Sequence, residues 1–218
     1  LANDIVGLHT DRWRRNFLRC CEDMLDCEVD VEASTVTCAG RRTIVTAHPL
    51  GVDPAEFDEL RDDPRVLEEE RLIVERRPEH LVLRVDRTDP SKNVVRGFRA
   101  FALFLDMHPE FQGRVTLLAL LDPSRQDIPE YSEYLAAIQR EARAVNDRFQ
   151  HEGWIPIDLQ VGDNFAQSVA AYKQYDALLV NAVFDGLNLV SKEAPLVNER
   201  DGVLAVRVTR DGGGAAVR

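Results

Sequence analysis

At 218 residues the chain can bury a substantial core without staples, and 44% hydrophobic with 30% charged residues is the composition of an ordinary globular protein. No apolar run approaches the roughly 20 residues that a membrane-crossing helix needs. A net charge of -11 disfavours nucleic acid and anionic lipid as partners over most of the surface, so any anion site must be a local basic island.

The chain opens without Met on LANDIVGLHT, which reads like the interior of a domain, and no signal-peptide pattern is present. Residues 5–8 are a short apolar strand candidate. Thr10 and Asp11 are helix-start residues for an amphipathic stretch over residues 13–25. Four cysteines, Cys20, Cys21, Cys27 and Cys38, lie here without a C-x-x-C pair, so neither a disulfide framework nor a zinc site is indicated and a reducing cytoplasm fits. Cys20 and Cys27, about two turns apart on the predicted helix, read as small buried apolar residues. Alternation over residues 29–36 and 43–47 predicts two more strands, with a turn at Gly40-Arg41 between them. The segment from His48 to Pro54 breaks regular structure and is the candidate interdomain connection.

Beyond it a charged helix is expected over residues 65–77, then strand 81–85, helix 94–107, strand 115–121, helix 129–150, strand 157–161, helix 165–173 and strand 177–180. Short apolar strands, each separated from the next by a helix, are the signature of a parallel sheet covered on both faces, hence a doubly wound α/β domain. Ligands of such sheets bind beyond the carboxyl ends of the strands, which directs attention to the loops starting at Asp86, Asp122 and Asn181.

The first loop, from Asp86 to Asn93, sets the cations Arg87 and Lys92 five residues apart before a helix whose exposed amides and dipole favour anions, so the three together can hold a diphosphate. The alternative is a solvated turn in which Asp89 caps the helix and the cations pair with Asp86. The second loop repeats the pattern with Arg125, which is either a solubilising charge or a member of the same crevice. In the third loop, Gly186 permits close backbone approach, the amides of Leu187, Asn188 and Leu189 open a helix, and Glu193 lies where a carboxylate can accept both hydroxyls of a ribose. Its bland version is a helix capped by Asn188 with Glu193 as an exposed charge.

The segments VDRTDPSKN, DPSR and FDGLNLVSKE, together with VGLHTDRWRRNFLRCC and AHPLGVDP, make the chain resemble the trehalose-6-phosphate synthase family of glycosyltransferases up to about Gly202. The resemblance implies a GT-B architecture of two Rossmann-like domains. Residues 1–50 would be the terminal part of the N-terminal, acceptor-side domain, and residues 51–218 a donor-binding domain incomplete at its C-terminal end. The chain would thus be a fragment cut short at both ends and inactive in isolation. The resemblance further implies transfer of glucose, with retention, from a nucleoside-diphosphate glucose (UDP or GDP) to glucose 6-phosphate in trehalose biosynthesis, in the cytoplasm, without cofactor or metal, and with room for a homo-oligomer of the full-length parent. Arg87 and Lys92 would contact the donor diphosphate and stabilise the leaving nucleotide. Arg125 would lie near the donor or acceptor phosphate, and Asp185 would meet sugar hydroxyls. The amides at Leu187, Asn188 and Leu189 would contact sugar and phosphate, Glu193 would hold the ribose, and Gly186 and Val190 would complete the donor set. The first loop departs from the family's usual L-D-Y-[ST]-K-G, keeping the cations but replacing the aromatic and the glycine. Two alternatives follow: a pseudoglycosyltransferase resembling validoxylamine phosphate synthases, which couples a cyclitol nucleotide to an aminocyclitol phosphate, or a non-catalytic regulatory module. The tail after Gly202 is expected to lie outside the resemblance.

Overall fold

The structure, a computed structural model, describes residues 2–183, 185 and 187–206. Close contacts divide the chain into a unit up to Gly51 and a unit from Val52 onward. In the first, strand β1 (Ile5–Leu8) leads into helix α1 (Asp11–Met24), whose N-cap Thr10 accepts a hydrogen bond from Trp13 N at 3.3 Å. Strands β2 (Glu28–Asp30), β3 (Thr35–Cys38) and β4 (Arg41–Ala47) follow, giving a sheet in the order β1-β4-β3-β2 with only the β1 pairing parallel. Leu18 and Cys21 of α1 bury against Val36 and Val45.

Three expectations change here. The strand foreseen over 29–36 is two, because Asp30 accepts from Ala33 N at 2.8 Å and Ser34 takes a positive φ of 55°, reversing the chain. The next reversal is centred on Ala39 and Gly40, with φ of 50° and 80°, rather than on Gly40-Arg41. Two consecutive left-handed residues match the twist of a tight hairpin. Third, α1 stops at Met24, so Cys27 is not on the helix; antiparallel pairing of Glu28 with Thr37 sets residue 27 opposite residue 38, and Cys27 and Cys38 form a disulfide with Cα atoms 4.6 Å apart. Pairing of strands separated in sequence by a turn is invisible to cysteine spacing.

The second unit begins with helices α2 (Pro54–Arg61) and α3 (Pro64–Arg76). The first was not foreseen, although Asp53 as cap and Pro54 as first residue are its start signal, Asp53 accepting from Ala55 N at 3.0 Å. Then come β5 (His80–Arg87), α4 (Val94–Met107), β6 (Val115–Asp122), α5 (Pro129–Phe149), β7 (Ile157–Val161), α6 (Phe165–Gln174), β8 (Ala177–Val180), α7 (Val190–Val197) and β9 (Val203–Val206). All five strands are parallel, in the order β7-β6-β5-β8-β9. The last strand was not foreseen: Val203–Val206 pairs along Ala177–Val180, and Leu204 and Val206 pack on the core.

Period-two alternation sorts the sheet's side chains between two layers. Leu117, Ala119 and Leu121 of β6 face Phe98, Phe101 and Leu105 of α4 and Ile138, Ala142 and Val145 of α5. Leu118 and Leu120 face the opposite way, with Leu81 and Leu83 of β5, into a layer formed by α2, α3, α6 and α7. No helix among the described residues is long and apolar enough to cross a membrane.

Leu117 is fully buried in the centre of this sheet, whereas Leu67 on α3 is 44% exposed. Leu117→Ala is expected to lower unfolding free energy by about 2–5 kcal/mol in urea denaturation followed by circular dichroism, and Leu67→Ala by less than about 0.5 kcal/mol.

Candidate nucleotide-diphosphate site

The strand order reverses direction at β5: the chain moves outward through β6 and β7, then returns to the other side of β5 as β8. The ladder between β5 and β8 is short, pairing only Val82 with Ala177 and Leu83 with Leu178. Past those residues the carboxyl ends of the two strands are not bonded to each other, and a crevice opens at the topological switch point. A cavity of about 380 Å³ lies there.

Its lining brings together what the sequence had singled out from two loops. Arg87 and Lys92 come from the end of β5 and the turn after it, and Asp185, Leu187, Asn188, Leu189, Val190 and Glu193 from the β8–α7 connection and α7. Gly186 lies outside the described residues. Arg125 is not in this lining; it is exposed, with a positive φ of 47°, its guanidinium on the Tyr131 ring at 5.5 Å and donating to the Tyr131 hydroxyl at 3.1 Å. Nor does the amino end of α4 line the cavity. A 3-10 turn over Pro90–Lys92, capped by Asp89 through Ser91 N at 2.8 Å, intervenes, and the Val94 N–H is donated to the Tyr134 hydroxyl at 2.8 Å. Asp89 thus caps as the bland reading had it, but caps the turn rather than the helix.

The ion pairs set the electrostatics. Lys92 Nζ donates to Asp185 Oδ2 at 2.7 Å and lies 3.8 Å from Asp86 Oδ1. Burial raises the pKa of Asp185, but the bonds from Lys92 and Asn188 outweigh it and hold the carboxyl below its ordinary value. Asp86 moves the other way: desolvation lifts its pKa more than the nearby Arg84 and Lys92 charges lower it. Asp122, at the end of β6, is also raised, by burial and by the neighbouring Asp163 against the pull of Arg87.

In the third loop, Asn188 is a buried cap, accepting from Ser191 N at 2.8 Å, so the helix-cap reading holds for that residue. Glu193 is not an exposed charge. It is half-buried, Tyr172 Oη donates to its Oε2 at 3.4 Å, and burial raises its pKa, partly offset by that bond.

The loop after β7 and the underside of the site hold candidates that the three loops above do not include. Asp163, Asn164, Phe165 and Ser168 form a wall of the cavity, and the same carboxyl-end rule that selected three loops would have selected this fourth. Arg84, fully buried one strand position pair below Asp86, was also missed, although a charged residue within an apolar strand run is visible in sequence. Among the described residues no group of three or more His, Cys, Asp or Glu is arranged to hold a metal ion.

A model of glycosyltransferase family 20 matches residues 1–207, which carries the resemblance past Gly202 and through β9. The α,α-trehalose-phosphate synthase (UDP-forming) of Botryotinia fuckeliana is 38% identical over 194 residues, covering 87% of this chain and 36% of that protein. A crystal structure of a UDP-forming α,α-trehalose-phosphate synthase from Burkholderia xenovorans superposes with a TM-score of 0.83 at 28% identity, over 93% of this chain and 46% of that one. An α,α-trehalose-phosphate synthase (UDP-forming) from Burkholderia xenovorans in complex with glucose 6-phosphate gives 0.82 at 28% identity, with the same coverage. The chain therefore spans less than half the length of these relatives, and its α/β units have the GT-B fold of such synthases. On the match across nearly its whole length, the chain belongs to glycosyltransferase family 20.

Proposed function

We propose that the chain is the donor-binding part of a UDP-forming trehalose-phosphate synthase, which transfers glucose from UDP-glucose to glucose 6-phosphate with retention of configuration. Residues from 51 onward form the donor domain in this reading, and residues 1–50 belong to the acceptor-side domain. The observation that supports it most is the meeting of Arg87, Lys92, Asp185 and Glu193 in one cavity at the switch point of a parallel sheet. UDP is preferred to GDP because the relatives described above are named UDP-forming.

The division of labour follows from charge. Five carboxylates line the cavity (Asp86, Asp122, Asp163, Asp185 and Glu193) against two cations, so a diphosphate is attracted only on the side of Arg87 and Lys92. As the bond to the leaving phosphate stretches, negative charge builds on the nucleotide, and fixed cations there lower the barrier. Asp185 beside Lys92 accepts sugar hydroxyls, the amides at Leu187 and Leu189 contact sugar and phosphate, and Glu193 accepts the ribose hydroxyls while Tyr172 holds its other oxygen. Phe165, half exposed on the facing wall, offers a flat apolar surface for a base.

Calorimetric titration with UDP and GDP tests the reading: binding of UDP, more weakly of GDP, is expected, and a folded chain silent to both sinks it. Lys92→Gln, which keeps a donor for Asp185 but removes the charge, should weaken UDP binding by about tenfold or more, the scale of a charge-assisted bond. It should also lower the thermal midpoint because Asp86 and Asp185 lose a compensating charge, so the titration is run where the variant is folded.

The half-buried Glu193 carries a stability cost with a definite pH dependence. Burial raises its folded pKa above the ordinary glutamate value, so the folded chain retains this proton over a range where the unfolded chain has lost it. Stability tied to this group is therefore full below the unfolded pKa and is lost as pH rises through the folded one. Glu193→Gln should be more stable than wild type at pH 7 and indistinguishable from it below about pH 4, near the unfolded value for glutamate. Urea denaturation at the two pH values checks this, and equal stability at pH 7 would remove the cost assigned to the carboxylate.

A further inference from the structure

Arg84 is the largest fully buried side chain of the described residues, and it sits one alternation below Asp86, under the floor of the cavity. A guanidinium out of water is costly unless its N–H groups meet acceptors; in Arg84 both terminal nitrogens do, while Nε is buried without a partner among the described residues. Here the fork is spread over three parts of the site: Nη2 lies 2.9 Å from Asp86 Oδ2 and donates to the main-chain oxygen of Lys92, and Nη1 donates to Asn181 Oδ1 at 2.5 Å. Asn93 and Asn181 bond to each other's backbone alongside, with Asn93 Nδ2 donating to Asn181 O at 3.0 Å. Room for the guanidinium exists because residue 97 has no side chain: a Cβ on Gly97 would stand 2.5 Å from Arg84 Nη1.

Two consequences bear on Lys92. The ladder between β5 and β8 has ended at Leu83 and Leu178, so at the next residue the guanidinium bridges what the backbone no longer joins. It also supplies the charge that Asp86 requires. Without it, Lys92 alone would face Asp86 and Asp185, and the floor of the crevice would be net negative where an anion has to bind. With it, two cations balance two carboxylates, and an arriving diphosphate does not meet an uncompensated Asp86.

We propose that Arg84 is a positioning residue for diphosphate recognition: by neutralising Asp86 and clamping the Lys92 backbone to the end of β8, it leaves the Lys92 ammonium placed and electrostatically available to a nucleoside diphosphate. This rests on the nucleotide-binding reading above. A lysine would not substitute fully, because one ammonium has no planar fork to reach the three acceptors.

The test compares UDP with UMP, since a residue that only supports folding would weaken both alike. In the chain carrying Arg84→Met, calorimetry should show UDP affinity falling by about tenfold more than UMP affinity, the scale of one lost charge-assisted contact. Arg84→Lys should recover part of the preference and also serves if Arg84→Met does not fold. A folded Arg84→Met chain with the wild-type UDP to UMP ratio overturns the proposal. If the wild-type chain binds neither nucleotide, the underlying reading fails separately, and amide hydrogen exchange without ligand judges the clamp. Faster exchange at residues 91–93 and 181–183 in the variant, with β6 unchanged, supports it; unchanged exchange there overturns it.

Discussion

The site depends on a balance of buried charge at the place where two parallel strands part. Arg84, Asp86, Lys92 and Asp185 form a chain of opposite charges running from beneath the sheet's end to the cavity wall. Each member is tolerable out of water only because of its neighbours. The opposed pKa directions of the two carboxylates express this: Asp86, more deeply buried, is pushed toward its neutral form, whereas Asp185, bonded directly to Lys92, is held ionised. A group that acts on a diphosphate must keep its charge while partly desolvated, and the arrangement supplies that condition before any ligand arrives.

The sheet itself was legible because its physics is local. The runs of Leu and Val in β6 and β8 and the helical spacing of Val94, Phe98, Phe101 and Leu105 in α4 specify buried strand and amphipathic helix without reference to anything distant. Where the outcome depends on pairing, sequence said less. The split of residues 29–36 into β2 and β3 hinges on an Asp30 turn and the left-handed Ser34; β9 is stabilised by its neighbour β8; Cys27 meets Cys38 only once the hairpin register is set.

The candidate site residues divide the same way. Arg87, Lys92, Asp185 and Glu193 could be nominated because the rule placing ligands at strand carboxyl ends needs only strand order, which βα alternation supplies. Arg125 satisfied that rule but lies outside the cavity lining, although Asp122 at the end of the same strand is in it: Thr88 Oγ1 accepts from Ser124 N at 2.9 Å and Arg125 turns onto Tyr131. Arg84 is the converse. Periodicity marks it as inward-facing, yet that alone does not distinguish a mispatterned charge from one whose acceptors, Asp86, the Lys92 backbone and Asn181, come from three different segments.

The replacement of the family's usual glycine by Asn93 gains a physical reason from the same network. Asn93 takes a positive φ of 61°, the conformation glycine adopts most easily and asparagine tolerates best among other residues. The backbone path between the 3-10 turn and α4 is therefore available to either residue. Asparagine adds an amide that glycine lacks, and that amide bonds to Asn181 O beside the Arg84 guanidinium. A buried arginine and an asparagine at the left-handed position thus belong to one solution: the polar side chain that departs from the family's pattern serves the crossing between the two loops that the buried cation occupies.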